Sequence, residues 1–545
     1  MPTVTFNLDF IKKDLDQTYS TEEISHAITQ LGTEVEGVEE DKITVEVFPN
    51  RPDYLTRGGL ISALKGWFNE ETGPIPREYK KSTKNVIVEK DVEHIRPVTH
   101  GFIAKNCELT TPLINELITI QEKLHITYGR RRRKCAIGLY DADNIEWPLR
   151  YTARKPENIE FKPLGSKKKQ TGQQIITQHP KGKKYGHLLE EKRKYPLFID
   201  DNDDILSLPP IINSEKIGNI TTQTKNIFVE CSGNKHDEIK HAIHILAHHF
   251  NHIGADIEKV KIEGLYNKET PADSEETHTI TTKDINTILG TNLTLKEVKK
   301  YAKKARYKIS ENRQNINVTV DNARKDVLSK ADIVEDIAIQ IGYENLLPDK
   351  DYAYSQSHVS KKETIKQTVR DVMLSQGLEE IYTFSLIDGE KAKKIGREPT
   401  KVQNSVSKKY NSLKDSLIHS MIQTLSTNTS STYPQNLFEI GTVFKPDKSQ
   451  DTKIKEVENL GVAFCHKETT VTEPIEVIRK LEQEFDITIH IQKQDNPVFI
   501  PGRAGEIIDD NGQKGIFGEI HPKILNNNGI SMPTTYLELP LTIFL

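Results

Sequence analysis

The chain has 545 residues, too many for one hydrophobic core and suited to about three or four domains. With 35% hydrophobic and 28% charged residues it has a globular composition, and its formal net charge of −4 excludes nucleic-acid binding through global charge alone. The scattered cysteines Cys107, Cys135, Cys231 and Cys465 form no C-x-x-C pair and indicate neither a disulfide framework nor a zinc site; no apolar run approaches the roughly 20 residues of a membrane span.

The opening Met-Pro-Thr-Val-Thr-Phe-Asn lacks the charged lead and apolar stretch of a signal peptide, so a soluble, cytoplasmic protein is expected. Ser20-Thr-Glu-Glu23 is a capping box that opens a helix through Ile24, Ala27, Ile28 and Leu31. Ile43 to Phe48 alternates as a strand does. It leads into the rigid turn Pro49-Asn-Arg-Pro-Asp53 and a helix through Leu60, Leu64 and Phe68. Pro74 to Asn85 has the composition of a linker.

From there to about residue 269, strands and helices alternate. Thr111-Pro112 starts a helix with Leu113, Leu117, Ile120 and Leu124 on one side. Arg130, Arg131, Arg132, Arg133 and Lys134 follow it, as a solvated turn or as a contact for RNA phosphate, with a nuclear-localisation-like run the less favoured alternative, and lead into the strand Cys135 to Tyr140. Further strands are expected at Lys194 to Ile199, from Ile205, and at Asn226 to Ser232. In the helix from His236 to Ile253 the apolar stripe is Ile239, Ile243, Leu246, Phe250 and Ile253. His241, His244, His248 and His252 fall opposite, on an expected solvent face, with metal chelation the less favoured alternative.

Residues 270–348 are expected to form a compact βααβ-like unit that ends in the run Asp326-Val-Leu-Ser-Lys-Ala-Asp332-Ile-Val-Glu335-Asp336. Asp332, Glu335 and Asp336 stand at i, i+3 and i+4 on one helical face, and Asp326 lies one loop away. Oxygen ligands at this spacing suit Mg²⁺, or else complement the helix macrodipole. Beyond 350 the pattern is α+β again: a long helix at Lys362 to Gln376, a strand near Ile381 to Ser385, a helix across Ser412 to Thr424 and a strand at Leu437 to Phe444.

Six collinear stretches resemble the β subunits of phenylalanine–tRNA ligases, in the shorter archaeal/eukaryotic form: Phe48 to Asp53, Arg132 to Gly138, Pro209 to Glu215, Val334 to Tyr343, Leu437 to Phe444 and Phe517 to Pro522. The resemblance implies a multidomain α+β fold: an N-terminal B1-like domain (1–90), a B3/B4-like editing domain (91–269), a B5-like magnesium-binding domain (270–348) and a catalytically inactive, class II synthetase-like antiparallel sheet domain, B6/B7 (349–545). It implies Mg²⁺ at Asp326, Asp332, Glu335 and Asp336, near an interface with an α subunit. It implies an α₂β₂ heterotetramer that binds tRNA(Phe) and uses ATP, with the synthetic site on α; the late Gly-x-Gly-x-Gly-x-x-Arg stretch of class II chemistry is missing here, Arg503 being the nearest echo.

For the editing domain the resemblance points to Ser214 with Glu215, and to Glu230 with Ser232, as a pocket that hydrolyses tyrosine wrongly attached to tRNA(Phe). Two departures stand out: Glu230-Cys-Ser232 replaces the family's Asp-x-Thr, and Tyr140-Asp141 replaces its His-Asp. A tyrosine cannot serve as a neutral-pH base as histidine can. The rival functions are a free-standing hydrolase of mischarged tRNA and a scaffold subunit whose editing site has decayed.

Overall fold

A computed structural model describes residues 2–273, 275–312, 315–346, 357–509 and 512–545. The chain divides into two compact units, Met1–Asp351 and Tyr352–Leu545. The expected segments 1–90, 91–269 and 270–348 all fall within the first.

The first unit begins with a three-stranded sheet in the order Thr3–Asn7, Lys42–Glu46, Glu34–Glu39. The capping box closes as expected: Ser20 and Glu23 each bond the other's backbone N–H, and Thr21–Gln30 buries Ile24, Ala27 and Ile28. Helix Arg57–Trp67 follows the turn; Thr56 caps it by accepting from the Gly59 N–H at 3.1 Å. The presumed linker is tied down. Tyr79–Lys80 pairs with Asp256–Gly264, and Arg77 bonds Asp321 at 2.6 Å.

An 11-stranded mixed sheet forms the centre of this unit. Its main path runs Ile212–Asn213, Ile205–Leu208, Tyr195–Ile199, Leu149–Arg154, Asn85–Val88, Asp256–Gly264, Val98–Lys105, Ile227–Gly233, Cys135–Asp141. Every residue of Ile227–Gly233 is buried, because Val98–Lys105 and Cys135–Asp141 flank it on both sides and it packs within two core clusters.

The histidine helix, His236–His252, corrects the expectation of a wet face. His244, His248 and His249 are buried. One side of the helix packs on the sheet through Ile239, Ile243, Leu246 and Phe250, and the other side is covered by the N-terminal segment and the loop at 322. Gly58 donates its N–H to His249 Nδ1 at 3.4 Å, Tyr79 Oη lies 3.2 Å from His244 Nδ1, His241 Nδ1 lies 2.9 Å from the Asn322 carbonyl, and His252 Nε2 lies 2.8 Å from Asp14. An imidazole is amphipathic enough to be covered on both sides, provided it stays neutral.

The 270s to 340s fold into three antiparallel strands, in the order Glu276–Thr281, Asn315–Val320, Lys308–Asn312, with helices Thr282–Leu289, Leu295–Lys304 and Lys330–Ile341. The second unit is a seven-stranded sheet, antiparallel but for the short edge strand Glu379–Glu380, with helices Lys361–Ser375, Ile418–Thr427 and Thr472–Phe485. Ile381 to Ser385 forms no strand, lying between the short strands Glu379–Glu380 and Leu386–Ile387, and the helix expected from Ser412 begins at Ile418, after the short strand Ser412–Leu413.

Candidate functional site

Glu230 stands in the middle of strand Ile227–Gly233, opposite Gly138 on one neighbouring strand and Gly101 on the other. Two glycines leave open the space beside its side chain. Tyr140, two residues beyond Gly138, fills that space: a Cβ at Gly138 would come within 2.1 Å of the Tyr140 hydroxyl oxygen. The Tyr140 hydroxyl thereby lies 3.2 Å from Glu230 Oε2 and 2.8 Å from Ser207 Oγ. Arg96 closes the cluster: its Nε donates to Ser232 Oγ at 3.2 Å and its Nη2 to the Ser232 carbonyl at 2.5 Å.

Tyr140, Ser207, Glu230, Ser232 and Arg96 are all buried. Burial pushes the Glu230 carboxyl up to about 8, against the lowering pull of Ser232, Arg96 and Tyr140. Burial, with Glu230 alongside, holds the Tyr140 phenol well above its ordinary range. Glu230 is thus mostly a neutral acid at pH 7, and Tyr140 a neutral phenol. Glu230 Oε1 is buried without a hydrogen-bond partner.

Ser214 and Glu215 do other work. Ser214 is buried; its Oγ accepts the Ile217 N–H at 3.4 Å and its own N–H bonds the Leu206 carbonyl at 2.8 Å. Glu215 holds the Gly165 N–H at 2.7 Å. No hydrogen bond or ion pair joins Ser214 or Glu215 to Glu230 or Ser232 among the described residues. Arg96 and Ser207, which sequence reasoning did not single out, complete the cluster instead.

The basic run is divided by backbone geometry. Arg130, Arg131 and Arg132 take φ of 46°, 55° and 66°, three left-handed residues in succession, a conformation that is costly without a glycine. The turn sends Arg132 inward. It bonds the carbonyls of Pro210 and Ile211 at 3.1 and 2.8 Å, pairs with Glu122 at 2.9 Å and lies over the Tyr185 ring. Arg130, Arg131 and Arg133 are exposed, and Lys134 is half-buried near Glu238.

The four carboxylates do not converge. Arg324 takes Asp326 bidentately through Nε and Nη2, and its Nη2 also reaches Asp336 at 2.8 Å; Tyr307 Oη makes a short contact to the same Asp336 oxygen. Asp332 caps its own helix, accepting the Leu328 and Ser329 N–H groups at 2.9 and 2.7 Å. Glu335 is exposed. The cation between Asp326 and Asp336 is therefore a guanidinium. Among the described residues, no group of three or more His, Cys, Asp or Glu side chains is placed to hold a metal ion. This donor set does not fit Mg²⁺: two carboxylates are committed to Arg324, one to a helix cap, and Glu335 is exposed.

In the second unit, Arg503 pairs with Glu519 at 2.5 Å. Buried Lys414 and Glu439 pair at 2.8 Å with Thr383 alongside, and buried Glu538 gathers Ser416, Asn459 and Tyr536. These polar groups are consumed by one another within the sheet.

Residues 104–262 match the family profile described as B3/4 domain, residues 278–343 that of the tRNA synthetase B5 domain, and residues 350–541 that of the phenylalanyl tRNA synthetase beta chain CLM domain. The sequence is 31% identical to the phenylalanine–tRNA ligase beta subunit of Pyrococcus horikoshii, over 99% of both chains. It is 32% identical to that of Archaeoglobus fulgidus, over 100% of this chain and 99% of the other. Among solved structures, an N-terminal fragment of the phenylalanyl-tRNA synthetase beta-subunit from Pyrococcus horikoshii is similar with a TM-score of 0.61 and 30% identity, covering 62% of this chain and 99% of the fragment.

Proposed function

This chain belongs to the phenylalanine–tRNA ligase β-subunit family, and from that premise we propose that it is the non-synthetic half of an α₂β₂ ligase. The α partner carries the ATP-dependent attachment of phenylalanine to tRNA(Phe), with the Mg²⁺ that accompanies ATP. The β chain supplies scaffold and proofreading in the cytoplasm. End-to-end similarity, 31% over 99% of both chains, is the observation that carries this reading. The self-paired polar groups of the second unit and the commitment of Arg503 to Glu519 support a sheet that makes no ester bond. Tyr382 and Phe384, 93% and 73% exposed, support a partner surface on that unit.

The proofreading part is assigned to the Glu230–Ser232 face. Tyrosine exceeds phenylalanine by one hydroxyl, and an apolar synthetic pocket rejects an added hydroxyl by only about 100-fold. A second site that reads the hydroxyl and hydrolyses the ester makes up the difference. Water adds to the ester carbonyl carbon, the bond from that carbon to the ribose oxygen breaks, and a proton given up by water goes to that oxygen, restoring the ribose hydroxyl; free tyrosine leaves. Glu230 as a neutral acid is able both to donate to and to accept from a phenol, with Ser207, Ser232 and Arg96 holding the frame. The exposed Arg130, Arg131 and Arg133 are assigned to tRNA phosphate, whereas Arg132 is structural.

The test is deacylation of Tyr-tRNA(Phe) by the α/β complex, with Phe-tRNA(Phe) as the comparison. Hydrolysis of the tyrosyl ester in preference to the phenylalanyl ester, lost in Glu230→Ala, is expected. Equal, negligible hydrolysis of both esters by every variant, including those at Tyr140, would remove the proofreading role and leave the scaffold.

A further inference from the structure

Resting on the proofreading reading above, we propose that Tyr140 is a tethered occupant of the pocket that reads tyrosine, so that its side chain must leave before a tyrosyl group enters.

The pocket presents groups suited to a phenol, and a phenol is already in it. The Tyr140 ring folds back along its own strand over Gly138, into the space beside Glu230. Its hydroxyl lies within hydrogen-bond distance of both Ser207 and Glu230. Its ring stacks on Phe228, with centroids 5.8 Å apart and planes inclined by 26°. Tyr140 is 0% exposed and Glu230 2%, so a second phenol cannot lie beside the first.

A purely structural tyrosine does not account for the cluster. One hydroxyl partner satisfies a buried phenol, and Ser207 at 2.8 Å supplies it. Burying a carboxyl as a second partner is costly, and an apolar residue would fill the sheet more favourably. Glu230 moreover keeps Oε1 buried and unpartnered, a valence that Tyr140 does not use. A buried polar group with capacity to spare calls for an explanation beyond packing.

Once Tyr140 has left, the vacated groups favour a substrate that carries its own phenol. A tyrosyl ester replaces the lost contacts to Ser207 and Glu230, whereas a phenylalanyl ester leaves both without a partner. Its departure costs the same for either ester, so Tyr140 lowers both rates without changing their ratio; it touches no reacting atom and acts as a built-in competitor for the pocket.

The experiment uses the α/β complex with Tyr-tRNA(Phe) and Phe-tRNA(Phe), comparing wild type, Tyr140→Ala and Tyr140→Phe. Expected for Tyr140→Ala is a tenfold or greater rise in Tyr-tRNA(Phe) deacylation, with the preference over Phe-tRNA(Phe) kept. Free L-tyrosine at millimolar concentration should inhibit this variant but not wild type. Tyr140→Phe, which keeps the ring and loses the hydroxyl, should fall between the two, and it carries the test should the alanine variant fail to fold. Deacylation by Tyr140→Ala, or failing that by Tyr140→Phe, at or below the wild-type rate overturns the occupant while leaving proofreading intact. Absence of hydrolysis in all three proteins overturns both.

Discussion

Buried neutral histidines make the first unit sensitive to acid, and His248 allows the effect to be measured one residue at a time. His248 is 6% exposed in the helix His236–His252, and burial, reinforced by Arg77, holds it down to about 3. Its unfolded value is about 6.5. The folded value is the lower one, so the unfolded chain binds the extra proton between pH 6.5 and 3, and stability falls as pH drops through that window. At pH 5 the contribution is about 1.36 × 1.5, or roughly 2 kcal/mol, against about 0.2 kcal/mol at pH 7. His248→Gln, which cannot titrate, should lose about 2 kcal/mol less than wild type between pH 7 and pH 5. His244, also held down to about 3 one turn earlier, adds a similar amount in the double variant. Glu230 acts with the opposite sign but is common to all three proteins and cancels in the comparison. Urea unfolding followed by tryptophan fluorescence is the assay, because the two tryptophans, Trp67 and Trp147, both belong to the first unit. Equal losses in wild type and variants would refute the neutral burial of this helix.

Other perturbations test the remaining sites. Arg324→Met strands Asp326 and Asp336 and should destabilise the first unit by about 3–5 kcal/mol in the same urea assay, with a smaller loss on simultaneous Asp326→Asn and Asp336→Asn replacement. Glu230→Gln should abolish a decline in stability of about 4–5 kcal/mol that wild type shows as pH rises from 4.5 to 8, since a carboxyl raised to about 8 favours the folded state only while protonated. Glutamate at Arg130, Arg131 and Arg133 should leave the unfolding free energy unchanged and weaken tRNA binding with a shallower salt dependence, whereas Arg132→Ala should lower the unfolding free energy by about 2 kcal/mol or more; filter binding and urea titration separate the two.

Much of the framework was legible locally. The Ser20–Glu23 box, the Thr110-capped helix Thr111–Ile126 and the strand Cys135–Asp141 follow from patterns a few residues long. What escaped was set by distant contacts. The histidine face reads as wet by periodicity and is dry because residues 165 to 238 positions earlier cover it, Gly58, Tyr79 and Asp14 among them. Arg96 and Ser207 reach the Glu230 cluster from 136 and 67 positions away from their partners, with no local signature. Arg324 did carry a signal: an arginine two residues before Asp326 is placed for a bidentate pair, so the carboxylate count had to be read together with its cation. Glu230, Ser232, Ser214 and Glu215 were expected as one pocket. Pairing register places the first two in the Tyr140 cluster, while turn bonding occupies the others.

The central claim is that this chain acts only as half of a ligase. Co-expression with the phenylalanine–tRNA ligase α chain, followed by light scattering on the purified material and aminoacylation of tRNA(Phe), tests it directly. The account predicts a particle with two copies of each chain that charges tRNA(Phe) with phenylalanine, and no charging by either chain alone. Charging by the isolated β chain, or failure of the two chains to associate, would contradict it.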